Sequence, residues 1–188
     1  MRIQQRQLHQ QLRAEAIESR ERIAALTRPL DPAQLNEHPE AEGWSIGQVC
    51  EHLLKADELY ANPFADLLRR SRPDAGAGDR EWKSSFIGGM IAESLRKPRK
   101  LNRPKVFDPG PTPRNGVVET LLAHETQFVQ TMDAAAQYDW RALRIGSPAL
   151  PSWAPKMNVG DGFRIHVVHL TRHSRQIERL VGLLRSSR

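Results

Sequence analysis

Apolar residues recur along this chain with the period of a helix in four places, and with the period of a strand in none that can be defended. Between residues 5 and 28, Leu8, Leu12, Ala16, Ile23 and Leu26 fall largely on one face, with Gln, Arg and Glu elsewhere, and Pro29 and Pro32 close the segment. A second helix begins at Gly43-Trp44-Ser45. Ser45 can accept from a first-turn amide, and Gln48, three residues on, can reach back to complete a capping box. This helix is predicted to reach about residue 70, with Val49, His52, Ala56 and Leu59 on one stripe bordered by Leu53 and Tyr60. A third, predicted over residues 115 to 136 and capped by Asn115 or Thr112, turns Val118, Leu121, Leu122, Glu125, Phe128, Val129 and Met132 toward the core. Glu125 interrupts that face. The fourth opens at Asn158, with Asp161 three residues later where the helix dipole favours an acid. Along it His166, His169, His173, Ile177, Leu180 and Leu184 recur at steps of three and four, which makes them one stripe.

The connections carry no such rhythm. Residues 71 to 81 are rich in turn formers, and Trp82 to about Leu95 reads as a short helix weakened by Gly88 and Gly89. Between Lys97 and Pro113 five prolines make a long irregular crossing, of the kind that in a compact domain more often covers a site than links two domains. Residues 138 to 157 are again irregular and carry Trp140 and Trp153. Four principal helices with long crossings predict an all-α fold, a four-helix bundle forming one domain over residues 1–188, in which sites are built from inward side chains on facing helices.

Composition narrows the class. The 188 residues suffice for a core without disulfides, and the single cysteine, Cys50, excludes a disulfide framework. Cys50 stands about 200° around the helix from His52. It reads as a small buried hydrophobe rather than a co-ligand. No amino-terminal apolar run and no stretch of about eighteen apolar residues is present, so the expectation is a soluble, cytoplasmic protein without a membrane partner. The net charge of +6 and a pI near 10.0 direct attention to polyanions. The charge is spread, however, and the one dense run, Arg96, Lys97, Arg99, Lys100, Arg103 and Lys105, has no aromatics for base stacking and no DNA-reading motif beside it. Nucleic acid is therefore disfavoured as a partner. His9 and His38 lie off every apolar stripe and are read as surface residues.

The inward histidines carry the candidate chemistry. Burying several imidazoles costs free energy unless each finds a partner, and a divalent ion satisfies several at once. His169 and His173 form an HxxxH pair one turn apart, and His52 adds a third inward imidazole from another helix. Three protein ligands with open positions is the arrangement of a catalytic rather than a structural ion. Histidines at this spacing also occur as hydrogen-bonded core residues, and the spacing alone leaves both readings open. Glu125 and Gln176 are candidates to hold the second ring nitrogen of a ligand. Glu125 can equally be a face-edge residue reaching solvent, and His124 borders the same face as a spare ligand.

WSIGQVCEHL at residues 44 to 53 and HVVHLTRHSRQIERL at 166 to 180 resemble the two motifs of the DinB-like superfamily, including its YfiT-like metal-dependent hydrolases. The likeness follows helix order over nearly the whole chain, with the sharp matches confined to these two segments. The resemblance implies a four-helix bundle with a connection order unlike that of ordinary bundles. It also implies a Zn²⁺ or Ni²⁺ site whose ligands, carried over by position, are His52, His169 and His173. His166 is outside the pattern and is left as a pocket-lining group, a hydrogen-bond partner for substrate, or a satisfied core histidine. Members similar to this family are thiol-dependent S-transferases or isomerases. The resemblance thus implies a small-molecule substrate, a low-molecular-weight thiol or water as nucleophile, and a possible homodimer. The competing expectation is a non-catalytic metal-binding stress-response or interaction protein, with a basic nucleic-acid-associated factor behind it.

Overall fold

A computed structural model describes residues 2–40, 43–97 and 104–186. The periodic segments fold as the four long helices: α1 (Gln5–Thr27), α3 (Ile46–Arg70), α5 (Val117–Ala135) and α6 (Val159–Ser186). Two shorter helices, α2 (Pro32–Asn36) and α4 (Phe86–Arg96), sit in the connections. The architecture is all-α. Helix α1 packs on α5 and α6, and α3 packs on the same two, so the helices stand around the bundle in the order α1, α5, α3, α6. Chain neighbours α1 and α3 thus face each other across a diagonal, as do α5 and α6. An ordinary up-and-down bundle places consecutive helices side by side.

Among the described residues four very short strands accompany the helices, a departure from the strandless reading. β1 (Arg2–Gln4) pairs antiparallel with β2 (Glu81–Lys83), and β3 (Arg144–Ile145) pairs antiparallel with β4 (Met157–Asn158). Segments of two or three residues carry no readable period, and it is tertiary packing that places them. Trp82, read as the start of a helix, lies buried in β2 with Ile3 opposite it, and α4 begins only at Phe86.

The apolar core divides in two along the bundle axis. One cluster gathers Leu8, Leu12, Phe64, Met132, Trp140 and Phe163; the other gathers Ile23, Val49, Leu53, Leu121, Ile177 and Leu184. Every long helix crosses from one cluster to the other, and at the crossing each carries buried polar groups: Ser19 on α1, Asp57 on α3, Glu125 on α5 and His166 on α6. The waist of the molecule is therefore polar. Burial of a large apolar side chain contributes about 1.5–3 kcal/mol, and the two clusters supply the stability that tolerates such a waist.

The predicted cap of α3 forms and that of α5 does not. Ser45 and Gln48 form the reciprocal capping box, with both hydrogen bonds at 3.1 Å. Helix α5 starts after Gly116 rather than on a cap from Asn115 or Thr112, and Gly116 takes a left-handed φ of 67° that few other residues adopt cheaply. The chain approaches this turn through Arg114, which binds the buried carboxylate of Glu51 and also Glu58 on α3.

Candidate metal centre

The register of α6 is set at its first turn. Asn158 Oδ1 accepts from the Asp161 amide at 2.9 Å and from the Trp82 indole N–H at 2.9 Å, while its amide nitrogen donates to the Lys83 carbonyl at 2.9 Å. Asp161 is fully buried and accepts from the Ser85 amide at 2.8 Å, so it also holds the start of α4. The close approach requires Gly88, where an added Cβ would lie 2.2 Å from Asp161 Cγ. The glycine that weakens α4 as a helix is what lets α4 dock.

Counting from that origin, His166, His169 and His173 face the interior, and α3 brings His52 against the last two. Ring centroids lie 4.9 Å apart for His52 and His169, 4.8 Å for His52 and His173, and 4.6 Å for His169 and His173. One ring nitrogen from each residue lies within 4.8 Å of the others. Around a tetrahedral ion with ligands at about 2.0–2.1 Å, nitrogens stand roughly 3.4 Å apart. The Nε2–Nε2 separation of 2.9 Å between His52 and His169 is that of a hydrogen bond, about half an ångström shorter than the spacing around an ion. His52 and His173 are buried and His169 is only partly so.

The outward nitrogens of His52 and His173 are occupied. His52 Nδ1 lies 2.7 Å from the Phe107 carbonyl, and His173 Nδ1 lies 2.8 Å from Gln176 Oε1. Both partners accept, so each Nδ1 carries the hydrogen and each Nε2 keeps its lone pair. Burial, with neighbouring imidazoles adding to it, holds His169 well below the usual histidine range and pushes His173 down to about 3. These two rings are held neutral, the form in which imidazole binds metal. The three imidazoles, with the tautomers of His52 and His173, therefore fit a divalent transition ion.

The proline-rich crossing covers this group in its described part. Gln48 Nε2 donates to the Gly110 carbonyl at 2.8 Å and Lys55 Nζ to the Asp108 carbonyl at 2.6 Å, which lays residues 107–110 on α3 beside His52. Trp44 leans on the other side of the His52 ring, with centroids 4.9 Å apart. Of the basic run, Arg99, Lys100 and Arg103 lie outside the described residues; Arg96 pairs with Glu93, and Lys97 and Lys105 are exposed. Two shallow surface clefts, one lined by His9 and Asp74 and one by Pro63 and Arg144, include none of the three histidines.

Other candidates fall elsewhere. His166 stands one turn from the trio, stacked on Phe128 with centroids 3.5 Å apart, and its ring faces Glu125 Oε2 at 3.1 Å and Asp57 Oδ1 at 3.5 Å. Glu125 thus meets a histidine, as a carboxylate on an apolar stripe should, but not one of the trio. Gln176 is the acceptor that serves His173. His124 belongs to neither histidine group among the described residues. Cys50 is fully buried, and burial pushes its thiol up to about 12, an inert small hydrophobe. His9 is partly covered rather than exposed, bound to Asp133 at 2.8 Å and set edge-on to Trp140. Asp57 escaped the sequence reading. Its signal was the second stripe Leu53, Asp57, Tyr60, Phe64, on which it is the one charged position, as Glu125 is on α5.

A family model described as the DinB superfamily matches residues 15–177. Neither a curated protein nor a solved structure matches the chain.

Proposed function

Because the chain belongs to the DinB superfamily, we propose that it is a metal-dependent enzyme in which His52, His169 and His173 hold one divalent transition ion, Zn²⁺ or Ni²⁺. The enzyme acts on a small molecule with a low-molecular-weight thiol, or failing that water, as nucleophile. The observation that carries this reading is the convergence of three imidazoles from two helices, with the outward nitrogens of His52 and His173 already bound to acceptors. An ion bound there supplies Lewis-acid activation, lowering the pKa of a thiol or water and polarising a substrate oxygen.

The chain's own residues account for the rest. Phe107 and Gln176 fix the ring orientations of His52 and His173. Trp44 and Phe107 flank His52 and exclude water from that side, while the part-exposed face of His169 leaves an approach from solvent. Three neutral ligands leave the charge of a divalent ion uncompensated, which favours an anionic partner. A thiolate meets that requirement at lower cost than hydroxide, since a free thiol ionises near pH 8.5 and water far above it. Thiol transfer to an electrophile is accordingly the first reading and hydrolysis the second.

The test is elemental analysis of the purified protein, followed by a screen for loss of free thiol with a panel of electrophiles. His52→Ala and His169→Ala should each lose the transition metal held by the trio and the metal-dependent consumption of thiol. Protein that is equally stable with and without added zinc or nickel would overturn the site. Metal retained without turnover of thiols or esters would assign the chain to the non-catalytic metal-binding class.

A further inference from the structure

We propose that Asp57, Glu125 and His166 form a second divalent-metal site, built from two carboxylates and one imidazole and closed inside the waist of the bundle. Each comes from a different helix, α3, α5 and α6, and one candidate ligand atom of each lies within 4.8 Å of the other two. All three side chains are at least nine-tenths buried, with exposures of 6% for Asp57, 1% for Glu125 and 9% for His166.

Proton counting shows what is missing. His166 turns one ring nitrogen toward each carboxylate, but a neutral imidazole has a single N–H and can serve only one of them. Asp57 Oδ2 and Glu125 Oε1 are buried with no donor reaching them from the surrounding protein. Burial acts on all three: it holds Asp57 well above the usual carboxylate range, where the Glu125 charge adds to it, pushes Glu125 up to about 8, and holds His166 below the usual histidine range. The nearby cation, Arg20, is turned toward Thr126. Such a group needs positive charge from outside the chain.

A divalent ion answers the charge and the orphaned atoms together. Two carboxylates and a neutral imidazole carry a charge of minus two, so a doubly charged ion leaves the waist neutral. Carboxylates can bind through both oxygens, and the two unpartnered oxygens are then the donors that complete a shell without open positions. A closed shell of this kind marks a structural rather than a catalytic ion. The contrast with the trio is one of charge: neutral donors leave that ion seeking an anion, while these donors leave theirs satisfied. Mixed oxygen and nitrogen donors suit Zn²⁺ or Mn²⁺. The ion would tie α3, α5 and α6 together where the apolar core is interrupted. The competing occupant is a proton shared between the two carboxyl groups.

The test is titration of the metal-stripped full chain with Zn²⁺, and separately Mn²⁺, counting bound metal by elemental analysis after buffer exchange. Two equivalents of zinc are expected for the unmodified chain. His169→Ala should retain one, Glu125→Gln or Asp57→Asn should retain one, and His169→Ala with Glu125→Gln should retain none. A single equivalent that vanishes in His169→Ala and survives in Glu125→Gln overturns the inference in favour of the shared proton, and leaves the trio intact. Should Glu125→Gln fail to fold by circular dichroism, the unmodified chain and His169→Ala decide alone: an equivalent surviving in His169→Ala supports the second site, and none overturns it.

Discussion

His52 Nδ1 lies 2.7 Å from the carbonyl oxygen of Phe107, 55 positions away in the chain. A backbone group in the proline-rich crossing thereby sets the tautomer of an imidazole on α3. The crossing is part of the candidate metal centre and not merely its cover. Phe107→Ala should leave the number of bound ions unchanged but weaken binding at the trio about tenfold or more, the usual effect of loosening a ligand's outer partner. Competition with a chromophoric chelator reads this directly, and unchanged affinity would mean that the Phe107 ring is not needed to hold its carbonyl against His52.

Gln176 does for His173 what the Phe107 carbonyl does for His52, at 2.8 Å. Gln176→Ala should lower affinity for zinc by roughly 10–100-fold with the fold intact. Gln176→Glu, which keeps an acceptor, should restore much of the loss; equal weakening by both variants would argue against an orienting role.

Zinc should raise the melting temperature of the chain in a concentration-dependent way, since an ion that binds only the folded state stabilises by about 2.7 kcal/mol at one hundred times its dissociation constant. His52→Ala should reduce that gain. Calorimetry across a zinc series checks it, and an identical shift in the variant would mean that the ion acts elsewhere.

In the metal-free protein the buried acids and the buried histidines pull stability in opposite directions with pH. His169 and His173 have lowered folded-state pKa values, so stability rises as pH climbs toward 6.5, the ordinary histidine value. Glu125 is raised from 4.5 to about 8 while facing Asp57 on α3, His166 on α6 and Arg20 on α1, and stability is lost as pH rises through that window. Between pH 6.5 and 8 only the acids still act. Denaturant unfolding there should show stability falling by up to about 1.4 kcal/mol per pH unit for each acid, and Glu125→Gln should flatten the slope.

Gly88→Ala should destabilise the chain by about 1–3 kcal/mol, because its methyl group has no space beside Asp161. Chemical denaturation gives the number. A neutral result would mean that α4 can slide on α6.

What could be read in advance was what depends on local rhythm. Four long helices, the Ser45–Gln48 box, the start of α6 at Asn158 and the inward turn of His52, His169 and His173 all follow from spacing and from side chains that act within one turn. The strands escaped because Trp82 is placed by Asn158, 76 positions away, and not by its neighbours. The cap of α5 escaped because Arg114, gripped by Glu51, dictates how the chain arrives there. The Phe107 carbonyl had no sequence signal, since every residue has a backbone oxygen. Asp57 had one, a lone charge on an apolar stripe, but it gains meaning only once α5 and α6 bring Glu125 and His166 to it.

The pinned first turn of α6 also decides where this chain tolerates changes of length. The α6 members of both clusters are counted from Asn158 and Asp161, and one residue added before Ile165 would swing every later side chain by about 100°, carrying His166, His169 and His173 off their partners at a stroke. An insertion between Ser147 and Lys156, upstream of that origin, leaves the count untouched. Two neighbouring stretches of similar length thus differ sharply in the insertions and deletions that a lineage, or an engineer, can keep.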